Sequence, residues 1–358
     1  MIRITQAARL WAILLLAVLA PATLSAAPFA AYVIDARTGQ PIYKQNEDTR
    51  LHPASLTKMM TLYMAFTAIE RGQVRLDSQF PVSTNAASEP PSKLGLKAGQ
   101  RIELRYLIRA AAVKSANDAA TTIGEGLAGS EPKFAAQMTA MARALGMRNT
   151  NFRNANGLTV EGHYSSARDM SLLGRRLFYD FPQYYSIFSR RTADAGIATV
   201  SSTNKRFLDS YEGADGIKTG YTRAAGFNLT ASAKRGSKRI IATVLGGNST
   251  AHRNAVMAQL LDAGFGKAPT RVREVKPAAP ALVAERKAVR RTVQVARAVP
   301  AQPAPLVQLS ASSRPAARAS TAVRRSPHSA AISARSPSSG QSALSQTTAP
   351  LPNGRGSR

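Results

Sequence analysis

The sequence predicts an α+β fold for residues 28–267: an antiparallel sheet completed by both termini of that stretch, flanked by helices, with a large helical middle region. Three patterns carry the prediction. They are a strand pair at the start, helical periodicity through the middle, and a second strand pair followed by a long helix at the end. With both ends supplying strands, a single antiparallel sheet that they complete together is the simplest arrangement.

Residues 31–35 (AYVID) and Pro41–Gln45 flank Arg37-Thr38-Gly39-Gln40, a good hairpin connection. After Pro53-Ala54 the pattern turns helical. Leu56, Met59, Met60, Tyr63, Phe66 or Thr67, and Ile69 recur along one face, and Gly72 is the expected stop. Residues 103–145 read as further helix, rich in Ala with Leu, Ile and Met at helical intervals. Phe227, Leu229 and Ala231 then alternate with Asn228, Thr230 and Ser232, and a Lys-Arg-Gly-Ser turn at 234–237 leads into residues 240–245. A helix over about 250–263, stopped by Gly264, completes the pattern.

Both ends of the chain differ from this stretch. Arg3 and Arg9 flank the start of residues 1–27, residues 10–20 are apolar, Pro21 breaks the run, and Ser25, Ala26 and Ala27 offer a cleavage site. Eleven apolar residues are too few for a hydrocarbon layer of roughly 30 Å, so an export signal is expected rather than a transmembrane anchor. Residues 268–358 hold eleven of the twenty prolines, no Phe, Tyr or Trp, and 15 basic against two acidic side chains, a net +13. Such a segment buries too little apolar surface to offset its ordering entropy, so a disordered basic Pro/Ala/Ser-rich tail is expected.

The whole chain stands at +28, from 48 Lys and Arg against 20 Asp and Glu, which points to a polyanionic partner. Export makes cell-wall polymer or an anionic lipid surface the expected one, and the tail has no interleaved aromatics to stack on bases, which argues against nucleic acid. Cysteine is absent, which removes disulfides, thiolate metal sites and cysteine nucleophiles. The four histidines, His52, His163, His252 and His328, are too far apart in sequence for a local metal motif. A zinc enzyme and a histidine-dependent triad are therefore disfavoured.

Three short motifs carry the candidate chemistry: Ser55-Leu56-Thr57-Lys58, Ser115-Ala116-Asn117 and Lys218-Thr219-Gly220. Each alone is weak, since Ser-x-x-Lys recurs at Ser130/Lys133 and Ser202/Lys205, and Ser-x-Asn at Ser83/Asn85 and Ser202/Asn204. A lone Ser55 is more readily a helix cap, and Ser115 and Asn117 a helix boundary. Context favours the first set. Ser55 stands where a helix should begin and Lys58 follows one turn along the same face, whereas Ser130 has Pro132 within its motif and is expected to lead into no comparable start. A serine hydroxyl needs a base to become a nucleophile. Without a placed histidine, a neutral lysine can serve if its pKa falls from about 10.4 towards 7, roughly 4 kcal/mol of differential stabilisation. Partial burial and a second cation supply such a shift, and Lys218 is the candidate cation. The three motifs in this order, before a hairpin, form the trio of serine β-lactamases and penicillin-binding proteins.

On these residues the chain resembles the serine-type D-alanyl-D-alanine carboxypeptidases, the low-molecular-mass penicillin-binding proteins. Residues 53–60 (PASLTKMM), 114–119 (KSANDA), 156–158 (NGL), 164–170 (YSSARDM), 215–222 (DGIKTGYT) and 226–229 (GFNL) extend the likeness across 28–267. The resemblance implies a serine β-lactamase/DD-peptidase-like fold acting on peptidoglycan pentapeptide stems without a cofactor, with β-lactams as covalent inhibitors. It implies Ser55 as the acylated nucleophile, Lys58 as its base, and Ser115 and Asn117 as proton relay and holder of the substrate amide. Lys218, Thr219 and Gly220 would bind substrate from an edge strand. The backbone N–H groups of Ser55 and Tyr221 would form the oxyanion hole, and Arg253 would bind a terminal carboxylate, an exposed helix-face arginine being the alternative. Ala116 stands where the family often has glycine, and the basic tail stands where the family commonly continues into a β-rich domain and an amphipathic helix.

Other readings share some of these residues. A class A-type β-lactamase needs a glutamate for deacylation, and the candidate Glu161 lies in a segment that matches the carboxypeptidase pattern instead. A DD-endopeptidase uses the same residues. A non-catalytic wall-binding protein is the alternative of a different class.

Overall fold

The structure, a computed structural model, describes residues 28–278 and Pro280; the expected export signal and most of the expected tail lie outside the described residues. In chain order these residues form β1 (Ala30–Asp35), β2 (Pro41–Gln45), a 3-10 turn (Ala54–Thr57) running into α1 (Lys58–Glu70), β3 (Gln79–Pro81), α2 (Thr84–Ser88) and β4 (Arg101–Glu103). There follow α3 (Leu104–Arg109), α4 (Asn117–Ala128), α5 (Glu131–Ala144), α6 (Ala167–Asp180), α7 (Pro182–Tyr185), β5 (Thr192–Asp194), β6 (Thr199–Ser201) and α8 (Lys205–Ser210). The last elements are β7 (Ala214–Thr222), β8 (Gly226–Arg235), β9 (Lys238–Gly247) and α9 (Thr250–Lys267).

Successive side chains of a strand point to opposite faces, so a strand buried at every position has cover on both. β1 is such a strand. Tyr32 and Ile34 join a core with Ile241, Leu245 and the helical middle, whereas Val33 joins Ile240, Ala242 and Val244 against Met257, Leu261 and Phe265 of α9. The sheet order is β2-β1-β9-β8-β7, with every neighbour antiparallel. The first hairpin thus docks onto the last strand, as the sequence predicts, with Val33 opposite Ala242. The polar residues of the alternating β8 pattern are buried too. Thr230 meets Thr243 at 3.0 Å, and Ser171 of α6 donates to Thr243 at 2.8 Å.

The helical region departs from expectation in the middle. α3 passes into a π turn (Ala110–Lys114) that stops at Ser115, whose φ is 64°, and Gly129 at φ 80° separates α4 from α5. An Ala-rich run propagates helix through its composition, but the left-handed turn at Ser115 overrides it. Ser130, expected to open no helix, stands at the N-cap position of α5 with Pro132 in its first turn, a favoured place for proline because the missing N–H has no helical partner there. The last helix does not stop at Gly264. A Cβ there would lie 2.8 Å from Ile240 and 3.2 Å from Val33, so the glycine allows helix and sheet to pack closely while the helix runs on to Lys267.

Residues 269–278, assigned by sequence to the tail, remain bonded to the domain. Arg37 donates to the carbonyls of Pro269 and Thr270 at 2.6 and 3.2 Å, and the Val275 N–H donates to Arg37 O at 2.9 Å. Arg175 donates to Val275 O, and the Tyr179 hydroxyl donates to Glu274 at 2.6 Å. These are polar contacts with distant arginines and a tyrosine, which leave no apolar period in the segment itself.

Candidate active site

Ser55 sits inside the 3-10 turn. Pro53 holds the cap position without a side-chain capping bond, so the helix-cap reading of Ser55 does not apply. Ala54, just before it, has φ 49°, and across the cleft Ser115 has φ 64°. Left-handed backbone costs an L-residue about 1 kcal/mol or more, and both strained positions adjoin the same site, a common placement for strain. Two glycines let the surroundings close on this turn. A Cβ on Gly157 would lie 1.9 Å from Ala54 O, and one on Gly220 would lie 3.0 Å from the Ser55 nitrogen.

Lys58 opens α1 and is completely buried. Its Nζ lies 3.1 Å from Ser55 Oγ, 2.7 Å from Asn117 Oδ1 and 2.7 Å from the Asn156 carbonyl oxygen. An ammonium has three N–H donors, whereas a neutral amine has two and a lone pair. Two obligate acceptors and one hydroxyl accommodate either form; in the neutral one the N–H groups go to Asn117 and Asn156, and the lone pair is left for the serine proton. Electrostatics favours the neutral form. Burial, and then the nearby Lys218, hold the Lys58 pKa well below its ordinary value, while Glu89 and Asp118 oppose the shift.

β7 lies at the edge of the sheet and brings the third motif alongside. Lys218 is buried, donates to the Thr219 carbonyl at 2.9 Å, and has its pKa lowered to about 7, first by burial and then by Arg253. A cleft of about 350 Å³ is lined by Ser55, Ser115, Asn117, Thr219, Tyr221 and Arg253, with Gly220 among its other residues. Lys58 and Lys218 lie beneath it. The Tyr221 ring is packed 4.4 Å from Phe227 yet remains half exposed at the rim. Arg253 is not the exposed helix-face residue of the alternative reading: it is 4% exposed, donates to Asn228 O at 3.0 Å, and has its pKa lowered by burial to about 10. The cleft thus holds a serine with an adjacent amine and, facing it, a buried guanidinium suited to a carboxylate.

Three features escape sequence reasoning. Thr203 lines the cleft, its hydroxyl 2.8 Å from that of Thr219. Asn156 acts through its backbone, a role no residue type signals, although the Asn-Gly-Leu stretch marks the place. His163 supports the Ser55 turn from behind. Its Nδ1 accepts the Arg153 N–H at 3.2 Å, so Nε2 carries the proton and donates to Thr57 Oγ1 at 2.9 Å.

The sequence profile of peptidase family S11, D-alanyl-D-alanine carboxypeptidase, matches residues 18–249, more than half of the chain. The chain is 37% identical over 245 residues to the D-alanyl-D-alanine carboxypeptidase DacF of Bacillus subtilis, covering 67% of this chain and 62% of DacF. Among solved structures it is similar to the D-alanyl-D-alanine carboxypeptidase DacD of Francisella tularensis, with TM-score 0.64 and 32% identity over 69% of this chain and 72% of that one. It is also similar to penicillin-binding protein D2 of Listeria monocytogenes in its cefotaxime-bound form, with TM-score 0.60 and 33% identity over 66% of this chain and 96% of that one.

Proposed function

Because the chain belongs to the D-alanyl-D-alanine carboxypeptidase family, we propose that it removes the terminal D-alanine from peptidoglycan pentapeptide stems through an acyl-enzyme on Ser55. The observation that carries this reading is the buried Lys58 amine, with two acceptors for its N–H groups and Ser55 Oγ at 3.1 Å. Ser55 Oγ attacks the carbonyl carbon between the two D-alanines as its proton passes to Lys58. The backbone N–H groups of Ser55 and Tyr221 receive the oxyanion, donors worth about 3 kcal/mol each. The tetrahedral state collapses as a proton returns to the departing amine by way of Ser115. Free D-alanine leaves, and water then hydrolyses the Ser55 ester. Asn117 holds the substrate amide, Thr219 and Arg253 take the terminal carboxylate, and Lys218 supports that strand from beneath. A β-lactam acylates the same serine and inhibits the enzyme covalently. No step needs a metal or cofactor.

In this reading residues 1–27 are an export signal, residues 28–267 are the catalytic domain, and the protein works in the cell envelope. The basic tail from 268, held to the domain over residues 269–278, adds electrostatic attraction to anionic wall polymer or lipid. Binding of an isolated tail peptide to anionic vesicles should then weaken with salt.

Mass spectrometry of muropeptides incubated with the full chain, beside Ser55→Ala, tests the activity. Loss of one D-alanine from pentapeptides, absent with Ser55→Ala, is the expected result. Cleavage of cross-linked dimers with pentapeptides untouched would replace it by an endopeptidase. No cleavage by the folded protein would favour a wall-binding role.

A further inference from the structure

The two acceptors of the Lys58 amine are held from one side. Pro90 O accepts from Asn117 Nδ2 at 2.8 Å, and Ser92 O accepts the Asn117 backbone N–H at 2.7 Å. In the same loop, Glu89 Oε1 accepts from Asn156 Nδ2 and from Thr121 Oγ1, both at 2.8 Å. Glu131 of α5 accepts the Ala155 N–H at 3.0 Å and reaches Thr121 at 3.4 Å. Residues 155 and 156 are thus suspended between two carboxylates, and the Asn156 carbonyl is fixed towards Lys58. Glu89 is only 9% exposed, and no step of the proposed acylation uses it.

From this geometry we infer that Glu89 is a positioning residue for the base, fixing the Asn156 acceptor that faces Lys58 and holding a carboxylate close behind it. The inference rests on the reading of Lys58 as general base. The charged groups around Lys58 are Lys218 from β7, Asp118 from α4 and Glu89 from the loop after α2; Glu131 faces Glu89 from α5. Burial raises the Glu89 pKa, and Glu131 adds to this, while Thr121, Lys58 and Asn156 pull it back. Once ionised, Glu89 favours the Lys58 cation and opposes Lys218. It therefore holds the onset of acylation at higher pH than burial and Lys218 alone would set.

The test is the pH dependence of the second-order rate constant for Ser55 acylation by a fluorescent penicillin, using the full chain, Glu89→Gln and Glu89→Ala. Glutamine can accept the same two hydrogen bonds without the charge. The acid limb should move to lower pH by about half a unit or more, roughly threefold in rate on the limb, and the high-pH plateau should survive. Alanine removes the acceptor and should lower the plateau about tenfold, with a thermal melt confirming that the variant folds; if it does not fold, the glutamine limb alone decides. An unshifted limb in Glu89→Gln, or one displaced to higher pH, overturns the inference. A wild-type chain that is never acylated at Ser55 instead removes the reading of Lys58 on which it rests.

Discussion

Gly157 is the position where one added methyl group does most to the proposed site. Its φ is +87°, and a Cβ there would stand 1.9 Å from Ala54 O, 2.5 Å from Ala54 C and 2.8 Å from Thr57 Oγ1. Ordinary contact begins at 3.4 Å, so Gly157→Ala forces the 156–158 loop and the Ser55 turn apart by at least about 1.5 Å. Both sides matter, because Asn156 O holds Lys58 at 2.7 Å and Ala54 carries the peptide into Ser55. The left-handed φ adds about 1–2 kcal/mol for an L-residue, a melting-temperature loss of about 2–8 °C for a domain of this size. A misplacement of about 1 Å in reacting groups costs roughly 100-fold, equivalent to about 2.7 kcal/mol in the barrier. The assay is the acylation rate constant with a fluorescent penicillin, run alongside a thermal melt. A variant that folds and acylates within threefold of wild type would refute the claim that these two segments jointly position Ser55 and Lys58.

Arg253→Gln should lower kcat/KM about 10- to 100-fold for a peptide ending in a free D-alanine carboxylate, the worth of a charge-assisted hydrogen bond. The matched C-terminal amide should be far less affected, and equal losses on both would contradict carboxylate binding by Arg253. Lys58→Arg keeps a cation that cannot release its proton, so Ser55 acylation should fall at least about 100-fold at every pH. Acylation that persists would remove Lys58 as the base. His163 has its pKa lowered to about 3 by burial first and by His52 second, so the unfolded chain binds more protons between pH 6.5 and 3. Stability from this residue is therefore complete above pH 6.5 and is lost as pH falls, by up to about 1.4 kcal/mol per pH unit. The melting temperature of His163→Gln should fall less steeply with acid across that window, and a slope equal to that of wild type would contradict the buried neutral imidazole.

Much of this architecture was legible because local chemistry and tertiary demand agree. The two hairpins and the sheet closed from both ends follow from strand alternation and turn residues, and Ser55 with Lys58 follows from a spacing that stacks the two on one helical turn. The misreadings occur where a residue answers to a distant partner. Gly264 looks like a stop because helix-ending and close-packing glycines are the same letter, and only Val33 and Ile240 tell them apart. Ser130 stands at the N-cap of α5 and Ser55 inside the turn that opens α1, so nearness to a helix start does not by itself separate motif from decoy; convergence on Asn117 and Asn156 does. The Asn156 carbonyl, the Glu89 carboxylate and the Thr203 hydroxyl reach the site through contacts between segments far apart in sequence. The bonding of residues 269–278 depends on Arg37, Arg175 and Tyr179, far away along the chain.

The central claim is that Ser55 is the nucleophile and that Lys58 makes it one. Its most direct test is peptide mapping by mass spectrometry after brief exposure of the full chain to penicillin, beside Ser55→Ala and Lys58→Arg. The account predicts a single adduct on the peptide containing Ser55, absent in the first variant and slowed at least about 100-fold in the second. An adduct on Ser115 or elsewhere, or no adduct on a folded wild-type chain, would contradict it.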